Sequence, residues 1–314
     1  MSMIHLVQMQ NVARIGYIAT RLALNAAAPI TRRIRGRGPL GVDGDMSRVG
    51  PTLDWFAAPL RAIGYRAEGT QVLELGPGKT CEVLAAFVLG GAESGLGLDY
   101  SLDVPGSLSP ARLQTTAQVL EKCSPDFFDA VASSAKVVRQ RCDTIVASQE
   151  TPLKFQRYNG WSIPLADHSV DLIVSRSVLE HVNRTSVQPL LGELRRVLRP
   201  DGGMVHTIDM RDHMHLVDSN VGPSFSDVRG DWLDALTYSE KLYRAMFSRS
   251  PTMINRIRID EWLRLFAQSG FEVIYREDYR LALPESATNG ALREPWRSLD
   301  RDLLSVAEVL LALR

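Results

Sequence analysis

Val72-Leu73-Glu74-Leu75-Gly76-Pro77-Gly78 decides the fold: an apolar strand delivers one acid and then two glycines into the turn before a helical stretch. The run is too short for a helix and is bounded by turn residues, so it reads as a buried strand. The glycines clear side chains from where a ligand must pack, and the helix that follows offers free N–H groups. Glu74, at the strand end, suits a ligand with a cationic amino group. Dinucleotide-binding folds use a similar turn, so the turn alone does not name the ligand. Cys81 stands where the third glycine of GxGxxG would fall, which weakens the dinucleotide reading. A P-loop ending in Gly78-Lys79-Thr80 would need glycine where Leu73 stands. Asp99, 21 residues after Gly78, ends a second apolar run, where a carboxylate can accept both hydroxyls of a ribose.

The same alternation continues outward. Lys79–Leu89 reads as a helix stopped by Gly90-Gly91, and Leu96–Leu98, Leu153–Tyr158, Val170–Ser175, Met204–Ile208 and Phe271–Tyr279 read as further strands. Thr185–Leu198 carries Val187, Leu190, Leu191, Leu194 and Val197 on one helical face, with Pro200-Asp201-Gly202-Gly203 as its stop. Asp260 is placed as the cap of a helix that Gly270 ends, and Val306–Leu313 is either a final strand or a terminal helix. Residues 211–258 are weakly periodic and read as an insertion of helices and loops. Their aromatics, Phe225, Trp232, Tyr238, Tyr243 and Phe247, suit a ring-bearing ligand or a core. The prediction is an α/β fold, a Rossmann-like seven-stranded, mostly parallel sheet with helices on both faces and helical cap insertions. Residues 1–66 form an N-terminal helical extension or lid, and 67–314 the main domain with an insertion at about 211–258.

Composition bounds the function. At 314 residues and 45% hydrophobic the chain can bury a sizeable core, and its 36 basic residues balance 36 acidic ones, which gives no field drawing it to nucleic acid. Three cysteines without CxxC spacing indicate neither a disulfide framework nor a zinc site, and fit a reducing cytoplasm. One asymmetry stands out: Arg14, Arg21, Arg32, Arg33, Arg35 and Arg37 all precede the first acid, Asp43. Residues 10–28 read as an amphipathic helix ended by Pro29. It is a lid, a peripheral membrane-surface helix or an Arg-rich transit peptide. No run of 18 uncharged apolar residues occurs, so no membrane span is expected.

Asn159-Gly160-Trp161-Ser162-Ile163-Pro164-Leu165-Ala166-Asp167-His168-Ser169-Val170-Asp171-Leu172-Ile173-Val174 is followed by Ser177-Val178-Leu179-Glu180-His181-Val182 and by Glu193–Gly203. Taken with the glycine turn, these segments closely resemble the small-molecule (methyltransferase type 11-like) branch of class I S-adenosylmethionine-dependent methyltransferases, over about residues 70–210. The resemblance implies S-adenosylmethionine as cofactor and an antiparallel last strand. It implies that Glu74, Gly76, Pro77 and Gly78 hold the methionine portion, Asp99 with Tyr100 the ribose, and Asn159, Gly160 and Trp161 the adenine. Ser175 and Arg176 would lie near the sulfonium. The family often has aspartate where Asn159 stands, so here the adenine contact would come from a neutral amide.

Methyl transfer from a sulfonium is an in-line displacement, and a hydroxyl acceptor must also lose a proton. His206-Thr207-Ile208-Asp209-Met210-Arg211-Asp212-His213-Met214-His215 is the densest polar cluster. Asp209 and His213 are the leading candidates for the proton, with His181 behind them. Their i, i+4 spacing also suits a metal, but no further ligands stand at metal spacing, so no metal is assigned. The expected activity is O-methylation of a small molecule. A nicotinamide-dependent oxidoreductase and a non-catalytic partner subunit are the alternatives. The partners implied are a small-molecule acceptor, no nucleic acid, a membrane surface at the basic helix, and a second copy in a homodimer.

Overall fold

The computed structural model describes residues 14–23, 25–26, 49–78, 81–100, 108–123, 125–160, 162–213, 231–250 and 253–314. Seven strands form one sheet in the order β3-β2-β1-β4-β5-β7-β6. They are β1 (Gln71–Leu75), β2 (Ser94–Asp99), β3 (Leu153–Arg157), β4 (Val170–Arg176), β5 (Leu198–Asp209), β6 (Val273–Arg280) and β7 (Val306–Leu313). β1 pairs in parallel with β2 and β4, and the pairs β2–β3 and β4–β5 are parallel too. β6 and β7 run antiparallel: Glu272 and Arg314 exchange both backbone bonds, while Leu281 donates to Ser305. The expected mostly parallel sheet is present.

The described chain divides into two compact units. Unit 1 draws on Met1–Arg37, Asp209–Asp260 and Tyr279–Glu308, and unit 2 on Gly38–Ile208, Glu261–Asp278 and Val309–Arg314.

In unit 2 the central strand β1 buries Val72 to Leu75, as an apolar run flanked by strands on both sides must. Helix Glu82–Leu89 is buried from Val83 onward, and Phe87 meets Phe56, Tyr65 and Phe127 edge to face at 5.2–6.5 Å. Helix Arg184–Val197 buries the five apolar residues that share its face, and Asn183 caps it by accepting the Thr185 N–H. β2 is longer than its apolar letters suggest because glycine is needed there for space: a Cβ on Gly97 would stand 2.5 Å from the Phe155 ring and 3.0 Å from Pro77. The Pro200-Asp201-Gly202-Gly203 stop lies inside β5. There Val170 pairs with Leu198 but Leu172 with Gly203, an irregularity that absorbs the turn without ending the strand. Asp260 is not a cap, since its helix starts at Ile259 and the acid falls in the first turn.

In unit 1, residues 14–23 and 25–26 are helical. The arginines of this helix are not a solvated face. Arg14 bonds Asp234 and Thr237, and the Arg21 guanidinium lies 4.8 Å from the centre of the Phe247 ring. Asn25 donates to the Ala245 carbonyl and accepts from Arg249 N–H. The aromatics Trp232, Tyr238, Tyr243 and Phe247 are all buried, so they are core, while Phe225 lies outside the described residues.

Two buried arginines hold this unit. Arg256 donates to the Ala235 and Tyr238 carbonyls, pairs with Glu240, and has the Tyr243 and Trp296 rings 4.4 and 4.7 Å from its guanidinium. Arg258, 1% exposed, donates to the carbonyls of Met210, Leu304 and Val306. Burial pushes its pKa down to about 10, against the pull of Asp260 and Asp209, so it stays charged at neutral pH. Arg258→Ala would strand three carbonyls, and is expected to lower the unfolding free energy by about 3 kcal/mol. Urea denaturation measures this, and Arg258→Lys should recover only part because an ammonium lacks the planar fork.

Candidate active site

The carboxyl ends of β1, β2 and β4 lie side by side. Leu75 pairs with both Leu98 and Ser175, so the glycine turn, Asp99 and Arg176 leave the same edge of the sheet. In open α/β sheets this edge is where ligands bind. Gly76 has φ +64°, and its N–H donates to the Leu98 carbonyl at 2.8 Å, which folds the turn back over β2. A Cβ there would stand 2.5 Å from Val178 Cγ2, so the turn and the segment after β4 fit only around glycine. Gly78 also has positive φ, but among the described residues a Cβ on it would meet nothing within 4 Å. Cys81, in the place of the third glycine, takes a left-handed conformation with φ 54° and ψ 23°. The backbone therefore keeps the shape a glycine would give it, and burial pushes the thiol up to about 12, well away from reactive thiolate chemistry.

Glu74 is 3% exposed, and its Oε2 accepts the Leu84 N–H at 3.0 Å. Burial, then the neighbouring Glu82, raise its pKa from 4.5 to about 8. A carboxyl whose folded pKa lies above its unfolded one stabilises the fold in its protonated form, and this contribution is lost as pH rises from 4.5 through 8. Glu74→Gln is therefore expected to raise the thermal midpoint at pH 9 and leave it nearly unchanged at pH 4, as read by calorimetry at the two pH values.

Tyr100, beside Asp99, is 70% exposed, with the Arg157 guanidinium 5.9 Å from its ring centre. Asn159 Oδ1 accepts from Ser162 N–H at 2.8 Å, closing a turn in which Gly160 has φ +91°. Trp161 lies outside the described residues. Arg176 is exposed at the end of β4, its guanidinium 5.6 Å from the Trp55 ring centre. Ser175 is buried and its Oγ lies 2.8 Å from His206 Nδ1, its register partner on β5. Desolvation brings His206 down to about 3, so its ring is neutral, and it stacks at 6.2 Å on Phe266. Nothing in the sequence marks this pair, because the two residues stand 31 positions apart and meet only through the β4–β5 register.

Among the proton-handling candidates, His181 is exposed on a single 3-10 turn, Leu179–His181, in unit 2. Asp209 and His213 belong to unit 1 and do come together, with His213 Nε2 3.5 Å from Asp209 Oδ2. Asp209 is also clasped by Arg211, whose Nε and terminal nitrogen donate at 2.8 and 2.6 Å and whose N–H donates at 2.9 Å. Burial works to raise the Asp209 pKa, but the bonds from His213 and Arg211 outweigh it and hold it at about 2. Asp209 is thus a fixed anion and too weak a base to take a proton at neutral pH.

A sheet of this order, with a glycine turn and a carboxylate at the ends of adjacent strands, defines a class I methyltransferase fold. Residues 127–206 match the family described as "Methyltransferase domain". The match covers about a quarter of the chain, and with the sheet order it supports the reading of a methyltransferase that uses S-adenosylmethionine. No curated protein matches it. Among solved structures it is similar to an S-adenosylmethionine-dependent methyltransferase from Mesorhizobium loti, at 17% identity and TM-score 0.46, covering 85% of this chain and 99% of that one. It is also similar to a Haloferax volcanii complex of the Trm112 methyltransferase activator with a methyltransferase, at 16% identity and TM-score 0.44, covering 92% and 96%. A third likeness, at 14% identity and TM-score 0.40 over 82% and 51%, is a Haemonchus contortus phosphoethanolamine N-methyltransferase with phosphomonomethylethanolamine and S-adenosylhomocysteine. At these values no acceptor carries over. Among the described residues no helix is long and apolar enough to cross a membrane.

Proposed function

We propose that this enzyme methylates a hydroxyl of a small molecule, with His213 as the base that takes the acceptor proton. The observation that carries this reading is the Asp209–His213 pair, 3.5 Å apart, with the carboxylate fixed by Arg211. A fixed anion beside an imidazole orients the ring, so that one nitrogen can face an acceptor. The sequence made Asp209 and His213 equal candidates. The low Asp209 pKa supports assigning it to orient His213 rather than to take the proton. Both Asp209 oxygens engage Arg211, so this carboxylate serves a guanidinium and is assigned no metal.

When bound, S-adenosylmethionine supplies an electrophilic methyl group. The residues present fit it: among the described residues open space lies beside Gly78, with the acids Glu74 in β1 and Asp99 at the end of β2 nearby. In this assignment Glu74 faces the amino group, Gly76, Pro77 and Gly78 line the methionine portion, and Asp99 accepts the ribose hydroxyls beside Tyr100. Asn159, Gly160 and Trp161 flank the adenine, and Ser175 and Arg176 stand near the sulfonium. The buried Ser175–His206 bond anchors the end of β4 with an uncharged partner. The test is to incubate the enzyme with radiolabelled S-adenosylmethionine and a panel of phenols, aliphatic alcohols, amines and thiols. Label transferred to a hydroxyl supports the reading, and label transferred only to nitrogen, sulfur or carbon refutes it.

A further inference from the structure

We infer that unit 1 carries a second small-molecule site, a cavity that takes a compact anion with a short apolar tail, such as a carboxylate or phosphate monoester. The cavity holds about 290 Å³ and is lined by Arg14, Ile18, Thr237, Tyr238, Leu242 and Arg293, with Ser239 and Ala291 completing it. That volume is near the lower end of small-ligand pockets, which open from roughly 300 Å³. All of these residues belong to unit 1, and no acid is among them.

The charges are arranged unequally. Arg14 bonds Asp234 at 3.1 Å and Thr237 Oγ1 at 2.6 Å, and Asp234 also accepts from the Tyr238 hydroxyl at 2.7 Å. That acid is 7% exposed and balances Arg14 alone. Arg293 is exposed, and its Nε donates to the Thr237 carbonyl at 3.2 Å, which fixes the plane of its guanidinium. Among the described residues its two terminal nitrogens have no acceptor and no carboxylate pairs with it. A fixed guanidinium with two parallel N–H donors is the geometry that reads a carboxylate or phosphate. The Ser239 hydroxyl accepts from Leu242 N–H and so keeps its own proton to donate. Ile18 and Leu242 supply an apolar wall for a tail of a few carbons. Charge from Arg293 and shape from the wall thus select one class of ligand. The proposal does not rest on the methyl-transfer reading.

Isothermal titration of the full chain with octanoate, octanol and inorganic phosphate tests it. Octanoate is expected to bind at least about tenfold more tightly than octanol, which lacks the charge, and than phosphate, which lacks the tail. Arg293→Gln should weaken octanoate roughly tenfold, and Arg293→Lys should recover part of the loss. Absent octanoate binding, equal binding of octanol, or unchanged octanoate binding by Arg293→Gln would each overturn the site. S-adenosylhomocysteine titrated into the same variant checks that the fold is kept: it should bind as it does to the parent chain.

Discussion

Asp99→Ala is expected to weaken S-adenosylhomocysteine binding roughly 100-fold if, as proposed, its carboxylate accepts two ribose hydroxyls, at about 1.5 kcal/mol or more for each charge-assisted bond. Asp99 closes β2, paired with Arg157 on β3 and one step beyond the Leu98 that receives the Gly76 N–H. Its backbone is set by the sheet, so loss of the side chain should leave the fold intact. Isothermal titration of parent and variant, with NAD as a control ligand, reads the effect. Equal affinity in the two proteins would remove Asp99 from the cofactor site. Asp99→Asn is expected to fall between them, because the amide offers one acceptor in place of a charged pair.

The second large effect concerns the proton. His213→Ala should lower turnover on a hydroxyl acceptor by roughly 10²- to 10⁴-fold with little change in KM. Asp209→Asn should cost less, because the imidazole remains and only its orientation and charge support are lost. Asp209 has a folded pKa of about 2 against an ordinary 3.8, so the stability it lends is present above 3.8 and fades only as pH falls toward 2. Assays near neutral pH therefore compare proteins in which this anion is fully formed. Steady-state rates that are the same in parent and His213→Ala would show that another group, or none, takes the proton.

The parts of the molecule legible in the sequence are those with short-range causes. The glycine turn after β1 could be read because strand, acid and glycines are contiguous, and the face of helix Arg184–Val197 because its apolar residues recur at helical spacing. The ambiguous Val306–Leu313 segment resolves as a strand through its place between β5 and β6 in the sheet. Arg14, Arg21, Arg256 and Arg258 were opaque, since an arginine that packs inward is spelled like one that faces water and only its distant carbonyls, acids and rings tell them apart. The polar cluster around Asp209 announced itself by density, but the roles proposed within it did not. Those roles depend on Arg211 turning back on Asp209, a side-chain choice the spacing leaves free. Trp232, Tyr243 and Phe247 of the insertion, equally readable as a ligand wall, are buried in packing.

The way the chain is shared between its two units constrains how such an enzyme can diversify. Unit 1 is sewn from three separate stretches, and the polypeptide passes between the units at 37/38, 208/209, 260/261, 278/279 and 308/309. No single recombination breakpoint can exchange unit 1 for another version of itself. A shuffled gene would inherit one or two of its stretches and the wrong partners for the rest, including the carbonyls of Leu304 and Val306 that Arg258 needs. Unit 1 is therefore open to stepwise substitution within its stretches and closed to the wholesale swapping that serves proteins whose domains follow one another along the chain.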